Sequence, residues 1–162
     1  ASSIAQGMAF LARHPEQWAA WRGDFDRFAP TALEEIVRYA SPVVFFGRTA
    51  AADTEVGGQA IAKGEQVVFW YVSANRDEAA FADPDRFDIT RSPNDHVGYG
   101  GGGPHHCLGM HLARREMHHF FRTLFTELPD LEVDLDAMKP INGMFINGMH
   151  SLPCRFTPRR LS

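Results

Sequence analysis

Tyr99-Gly100-Gly101-Gly102-Gly103-Pro104-His105-His106-Cys107-Leu108-Gly109 is the stretch on which the reading of this chain turns. Four consecutive glycines bury almost nothing, and each costs backbone entropy, so packing does not explain them. They suit a main chain that bends tightly and comes close to something flat and bulky. The run then delivers Cys107 to the start of a helical pattern, where the helix dipole and unpaired N–H groups favour a thiolate.

Beyond the loop, Leu108, Leu112, Ala113, Met117, Phe120, Phe121, Leu124, Phe125 and Leu128 recur at helical spacing until Pro129. The stripe predicts core. Arg114, Arg115, His118, His119 and Arg122 fall mostly off it, and Arg114 and Arg115 are either solvated or part of a basic surface for an acidic partner.

A thiolate ligates zinc or haem iron. His105, His106 and His111 add donors of the zinc type, but no C-x-x-C pair exists and the other thiol, Cys154, lies far along the chain. Cys154 is read as a small buried residue. The loop resembles the cysteine loop of the cytochrome P-450 superfamily, F-G-x-G-x-H-x-C-x-G. Gly101, Gly103, His105, Cys107 and Gly109 fall on that pattern, while Tyr99 precedes Gly100, which stands where Phe is usual. This spelling resembles a bacterial branch that oxidises sterols and methyl-branched lipids.

Three further segments match in order. Glu35-Ile36-Val37-Arg38 resembles the family's E-x-x-R, with both side chains on one helix face. By itself that is as readily a solvated salt bridge. Phe81-Ala82-Asp83-Pro84-Asp85-Arg86-Phe87 resembles the F-x-x-P-x-R-F meander. Together they imply a buried network of Glu35, Arg38 and Arg86, since fork-shaped donors satisfy a carboxylate where Lys does not. Arg48, following the apolar run Val43-Val44-Phe45-Phe46, is a surface charge or, by resemblance, a donor to a haem propionate, with His105 as the second.

Local patterns predict the remaining elements. Residues 1–13 read as a helix, Pro15 to Arg22 as a second, and Thr31 with Glu34 as the capping box of a third. Residues 53–72 read as a hairpin turning at Gly57-Gly58 and Ala62-Lys63-Gly64-Glu65. Ser73 to Asp77 opens a short helix, and 81–95 is an aperiodic loop. Phe145-Ile146-Asn147-Gly148 reads as a hairpin tip.

Composition is ordinary for a globular protein, at 44% hydrophobic and 22% charged residues. A net charge of −4 argues against nucleic-acid binding. Two cysteines make no disulfide framework, and no apolar run is long enough to span a bilayer, so a cytoplasmic setting is expected. The chain starts at Ala1 inside a helical pattern, without Met, and the family's usual chain is more than twice this length.

The resemblance therefore implies a mainly α fold with small β-sheets, residues 1–162 forming the C-terminal part of a single cytochrome P-450 domain. It implies haem b held by Arg48, Tyr99, Gly100, Gly101, His105, Cys107, Gly109 and Ala113, with Cys107 as iron ligand and catalytic centre. Val43, Val44, Phe45, Phe145 and Ile146 would line a substrate pocket. The implied activity is hydroxylation of an unactivated C–H bond in a lipophilic substrate, a sterol or methyl-branched lipid, using O2 and a ferredoxin-type electron donor with its reductase. The oxygen-activating acid–alcohol pair would lie upstream of Ala1, so this stretch alone is expected to be inactive. Two other readings stay open at this point: a haem-binding module without chemistry, and a piece that binds nothing by itself.

Overall fold

Gly7 marks a close approach of helices in the core of the computed structural model, which describes residues 2–158. A Cβ there would lie 2.8 Å from Ile36 Cδ1 and 3.0 Å from Phe121 Cζ, so only glycine lets three helices meet at this point. The first, α1 (Ser2–Arg13), runs almost without linker into α2 (Pro15–Gly23) and α3 (Phe25–Ala40). Pro15 occupies the opening of α2, where its missing N–H is no loss. Asp24 caps α3, its carboxylate accepting the Arg27 N–H at 3.3 Å.

That cap corrects the expected start at Thr31. The helix begins at Phe25 and carries Pro30 within it. Thr31 Oγ1 instead donates to the Ile89 carbonyl at 2.6 Å, and Glu34 is drawn to partners on other elements. Ser41, in the left-handed region at φ 40°, ends the helix before Pro42.

The long helix α5 (Met110–Glu127) packs across α1 and α3. Trp21, Ile36, Val37, Phe87, Ile89 and Phe121 are fully buried between these elements. Each such side chain contributes about 2 kcal/mol of hydrophobic stabilisation. The apolar stripe of α5 divides: Met117, Phe121, Leu124 and Phe125 are core, but Leu112 is 63% exposed and Leu108 is 99% exposed. Periodicity gave the stripe, but the other helices cover only its C-terminal part.

Four two-stranded sheets are present among the described residues. β1 (Phe45–Thr49) pairs antiparallel with β4 (Gln66–Trp70), placing Phe45 opposite Trp70 and Arg48 opposite Val67. β2 (Thr54–Val56) and β3 (Gln59–Ile61) form their own hairpin across Gly57 and Gly58, both at positive φ. The expected single hairpin over 53–72 is therefore two layers of pairing. The last strand leaves the hairpin because its apolar residues match β1. Nor is β1 a core strand, since Phe46 to Thr49 are exposed. The helix expected from Ser73 begins earlier, as α4 (Tyr71–Ala74), and the acids Asp77 and Glu78 fall outside it.

From 75 to 109 the backbone has no regular element, a longer irregular stretch than the loop expected over 81–95. The tail adds β5 (Glu132–Val133), β6 (Lys139–Pro140), β7 (Met149–Ser151) and β8 (Cys154–Arg155), paired β5 with β8 and β6 with β7. Among the described residues no helix is long and apolar enough to cross a membrane. The chain has the expected character, helices with small sheets.

Candidate functional site

Cys107 lies two residues before Gly109, the N-terminal cap of α5, so the thiol precedes the helix where the sequence put it at the helix start. Two hydrogen bonds shape its backbone: the Cys107 N–H donates to the Tyr99 carbonyl at 2.9 Å, and the Met110 N–H donates to the Cys107 carbonyl at 3.3 Å. Gly100, Gly102 and Gly103 all take positive φ between these anchors, a conformation L side chains resist. Cys107 is exposed, and the Leu108 and Gly109 N–H groups beside it donate to nothing among the described residues.

In front of the thiol opens a cavity of about 510 Å³. Its lining includes Val43, Phe46, Arg48 and Tyr71 together with Tyr99, Gly100, His105, Cys107 and Leu108. A second hollow of about 400 Å³ shares Arg48, Tyr71, Gly100 and His105, and adds Gly101, Phe69 and Trp70. The structure thus brings Arg48, Tyr99, Gly100, His105 and Cys107 around one space. Arg48 is exposed, its Nη1 donating to the Gly47 carbonyl at 2.8 Å.

Other expected residues sit behind this wall. The Val44 N–H donates to the Phe145 carbonyl at 3.0 Å, and Val43 bridges to Ile146. Phe145 stacks edge-on against Phe45 and Phe46, with ring centroids 5.7 and 5.5 Å apart. Asn147 fixes the tip by donating Nδ2 to the Ala40 carbonyl at 2.7 Å. Gly109 and Ala113 border the thiol side without lining either cavity; a Cβ at Gly109 would lie 4.0 Å from Cys107 Sγ.

Beneath the loop, Arg38 grips Glu35 with two bonds of 2.7 and 2.8 Å, both side chains fully buried. Arg91, not Arg86, is the second guanidinium: its Nε lies 3.2 Å from Glu35 Oε2. Arg86 contributes its carbonyl, which accepts from Arg38 at 3.1 Å and from Arg91 at 3.0 Å, while its side chain is exposed. The meander turns at Asp83, at φ 47°, and the Arg86 N–H donates to the Asp83 carbonyl at 2.9 Å. Asn94 Nδ2 and the Asp88 N–H complete the carboxylate's shell.

Glu34, absent from the expected site, reaches the other way. Its oxygens accept two 2.7 Å bonds from Arg114 and one of 3.1 Å from His96 Nε2. His96 Nδ1 accepts the Gly98 N–H at 3.1 Å, which leaves the ring proton on Nε2 facing Glu34. Burial by itself would raise the Glu34 pKa, but hydrogen bonds from His96 and Arg114 bring it down to about 2. The Arg114 guanidinium lies 4.8 Å from the centroid of the Tyr99 ring. The Tyr99 hydroxyl is buried without a partner, its pKa pushed up to about 12 by burial and then by Glu34. Only the pairing of Glu34 with an arginine eighty residues away, invisible in local spacing, would have revealed this cluster.

The donor set fits haem. A soft anionic sulfur, unspent N–H groups beside it, an apolar and aromatic wall, and Arg48 with His105 at the rim suit a flat macrocycle bearing carboxylates. No group of three or more His, Cys, Asp or Glu able to hold a metal ion occurs among the described residues, so the zinc alternative has no donor set.

Known proteins agree. The methyl-branched lipid omega-hydroxylase of Mycobacterium tuberculosis is 49% identical over 152 residues, covering 94% of this chain and 35% of that protein. The steroid C26-monooxygenase of the same organism is 42% identical over 159 residues, covering 98% and 36%. A Mycobacterium marinum cytochrome P-450 solved in complex with pseudoionone superposes with a TM-score of 0.91 at 48% identity, covering 96% of this chain and 37% of that one. The chain thus spans about a third of the length of the curated relatives it matches. A sequence model of the cytochrome P-450 family matches residues 1–154, and with the cysteine loop, buried Glu–Arg pair and fold all in accord, this chain belongs to that family.

Proposed function

We propose that residues 1–162 are the C-terminal part of one cytochrome P-450 domain, the thiolate side of a haem-dependent monooxygenase. The observation that carries this reading is the exposed Cys107 thiol at a cavity of about 510 Å³ that Arg48 and His105 also line. Haem b, when bound, supplies dioxygen activation and attack on an unactivated C–H bond.

The chain's own residues set the conditions for that chemistry. Cys107 would ligate the iron, and the Leu108 and Gly109 N–H groups beside it would be available to donate to its sulfur and temper its electron release. Arg48 and His105 would pair with the haem carboxylates. Gly100 and Gly101, without side chains, would let the loop approach the haem closely. Gly109 and Ala113 keep the start of α5 slim on the sulfur side. Val43, Val44, Phe45, Phe145 and Ile146 border the substrate and exclude water.

The relatives' names favour a methyl-branched lipid or sterol, hydroxylated near a chain terminus, and the aromatic wall of Phe45, Phe46 and Phe145 suits such a substrate. Electrons would come from a ferredoxin-type protein with its reductase, in a cytoplasmic setting.

The test is spectroscopic. Haemin added to the purified chain, then reduced under carbon monoxide, is expected to absorb at the long-wavelength position of thiolate-ligated iron. C107S is expected to abolish that band while leaving the unfolding midpoint unchanged. A wild-type chain without the band overturns the reading. A spin-state change on adding cholestenone or a methyl-branched fatty acid then identifies the substrate class.

A further inference from the structure

Two adjacent carboxylates of α3 divide the irregular 75–109 segment between them. Glu35 collects the meander, through Arg38, Arg91, Asn94 and the Asp88 N–H. Glu34 collects the segment that leads into the cysteine loop, through His96, and joins it to α5 through Arg114. Between His96 and Arg114 lies Tyr99, its ring 4.8 Å from the Arg114 guanidinium and 5.7 Å from the His96 ring. The Tyr99 carbonyl is the acceptor for the Cys107 N–H. A second anchor holds the same strip, since the Val97 N–H donates to Asn75 Oδ1 at 2.9 Å, and Asn75 Nδ2 donates to Ser41 Oγ at 3.0 Å.

We propose that Glu34 is a positioning residue for Cys107, clamping His96 and Arg114 about Tyr99 so that the Tyr99 carbonyl fixes the cysteine backbone. The clamp sets where the sulfur stands and keeps the Arg114 charge beside the loop. Bidentate geometry matters here, because a fork fixes both distance and plane where a point charge fixes neither. Glu34 touches no reacting atom, and its effect passes through two other side chains and one carbonyl. The inference rests on Cys107 being the iron ligand, but the clamp is measurable without haem.

Amide hydrogen exchange on the full chain, without haem, tests it. E34Q keeps the side-chain shape and removes the charge. It is expected to speed exchange across residues 97–108 by about tenfold, the loss of a charge-assisted bond, while residues 84–91 keep their protection. R114K, which keeps the charge and loses the fork, is expected to speed the same segment by a smaller factor. E34Q combined with R114Q is expected to add nothing beyond E34Q alone. In the haem-loaded protein, E34Q is expected to shift part of the reduced carbon monoxide band from the thiolate position to shorter wavelength.

Unchanged exchange at 97–108 in E34Q overturns the proposal. So does equal acceleration at 84–91, which would make Glu34 a general support of α3. A wild-type chain lacking the thiolate band would instead overturn the ligand assignment, leaving the exchange result standing.

Discussion

Around Glu35 both carboxylate oxygens are engaged and the Glu35–Arg38 pair is fully buried; around Cys107 the thiol, two N–H groups and several large apolar side chains face open space. Both regions hang from the same helix, α3, and lie within one short stretch of irregular chain. The first is a closed polar network in a low-dielectric setting, in which Asn94 Oδ1 is the atom left buried without a partner. The second exposes Phe46, Phe69, Trp70, Leu108 and Leu112, an apolar surface that a water-facing protein does not maintain without an occupant. The difference separates what builds the platform from what the platform presents.

Breaking the closed side should cost most. E35A leaves Arg38 buried and unpaired and removes the acceptor for Arg91, so a loss of about 3–5 kcal/mol is expected in urea unfolding. The network also ranks two arginines. R91A removes a side chain bonded to Glu35 and to the Ala82, Asp83 and Arg86 carbonyls, and should cost about 2 kcal/mol. R86A removes an exposed side chain and should stay within about 0.5 kcal/mol of wild type. Equal losses for the two variants would return Arg86 to the network.

That ranking shows where the sequence stops being legible. α1, α2 and α5 follow from periodicity and proline placement, which are local. The cysteine loop is legible because four glycines before a cysteine have no packing use. Arg86 and Arg91 are not distinguishable in the sequence, because both stand in an aperiodic segment with no local pattern to say which side chain points inward. Glu34 was misread for the same reason. Three residues after Thr31 it completes a local capping pattern, while its true partners, His96 and Arg114, are far along the chain. The pairing of β4 with β1 is likewise non-local. The apolar stripe of α5 carried no sign of where its cover ends, so Leu108 and Leu112 read as core.

Acid sharpens the comparison on the loop side. The Glu34 pKa lies near 2 in the folded chain against 4.5 for a free glutamate, so its contribution is complete above pH 4.5. As pH falls through that interval toward 2, the folded carboxylate takes up its proton and the contribution disappears. Protection of residues 97–108 against exchange is expected to decline over this range in wild type, relative to a pH-independent reference segment. In E34Q the same ratio should be flat. A parallel decline in both proteins would assign the acid sensitivity to another group.

The smallest effect should also carry the opposite sign. The Tyr99 hydroxyl is buried with no partner, although Glu34 and Arg114 surround it, because those two groups spend their bonds on each other. An unpaired buried hydroxyl costs desolvation without return. Y99F removes that oxygen and keeps the ring on which Arg114 rests, so the variant is expected to be more stable by about 1 kcal/mol. Thermal unfolding would register this as a rise of several degrees for a chain of this size. The Tyr99 carbonyl, which holds the Cys107 N–H, is untouched by the change, so exchange at 97–108 should remain at the wild-type rate. A destabilised Y99F would mean that the hydroxyl has a partner after all, and would place the polar boundary of the open region one residue closer to the sulfur.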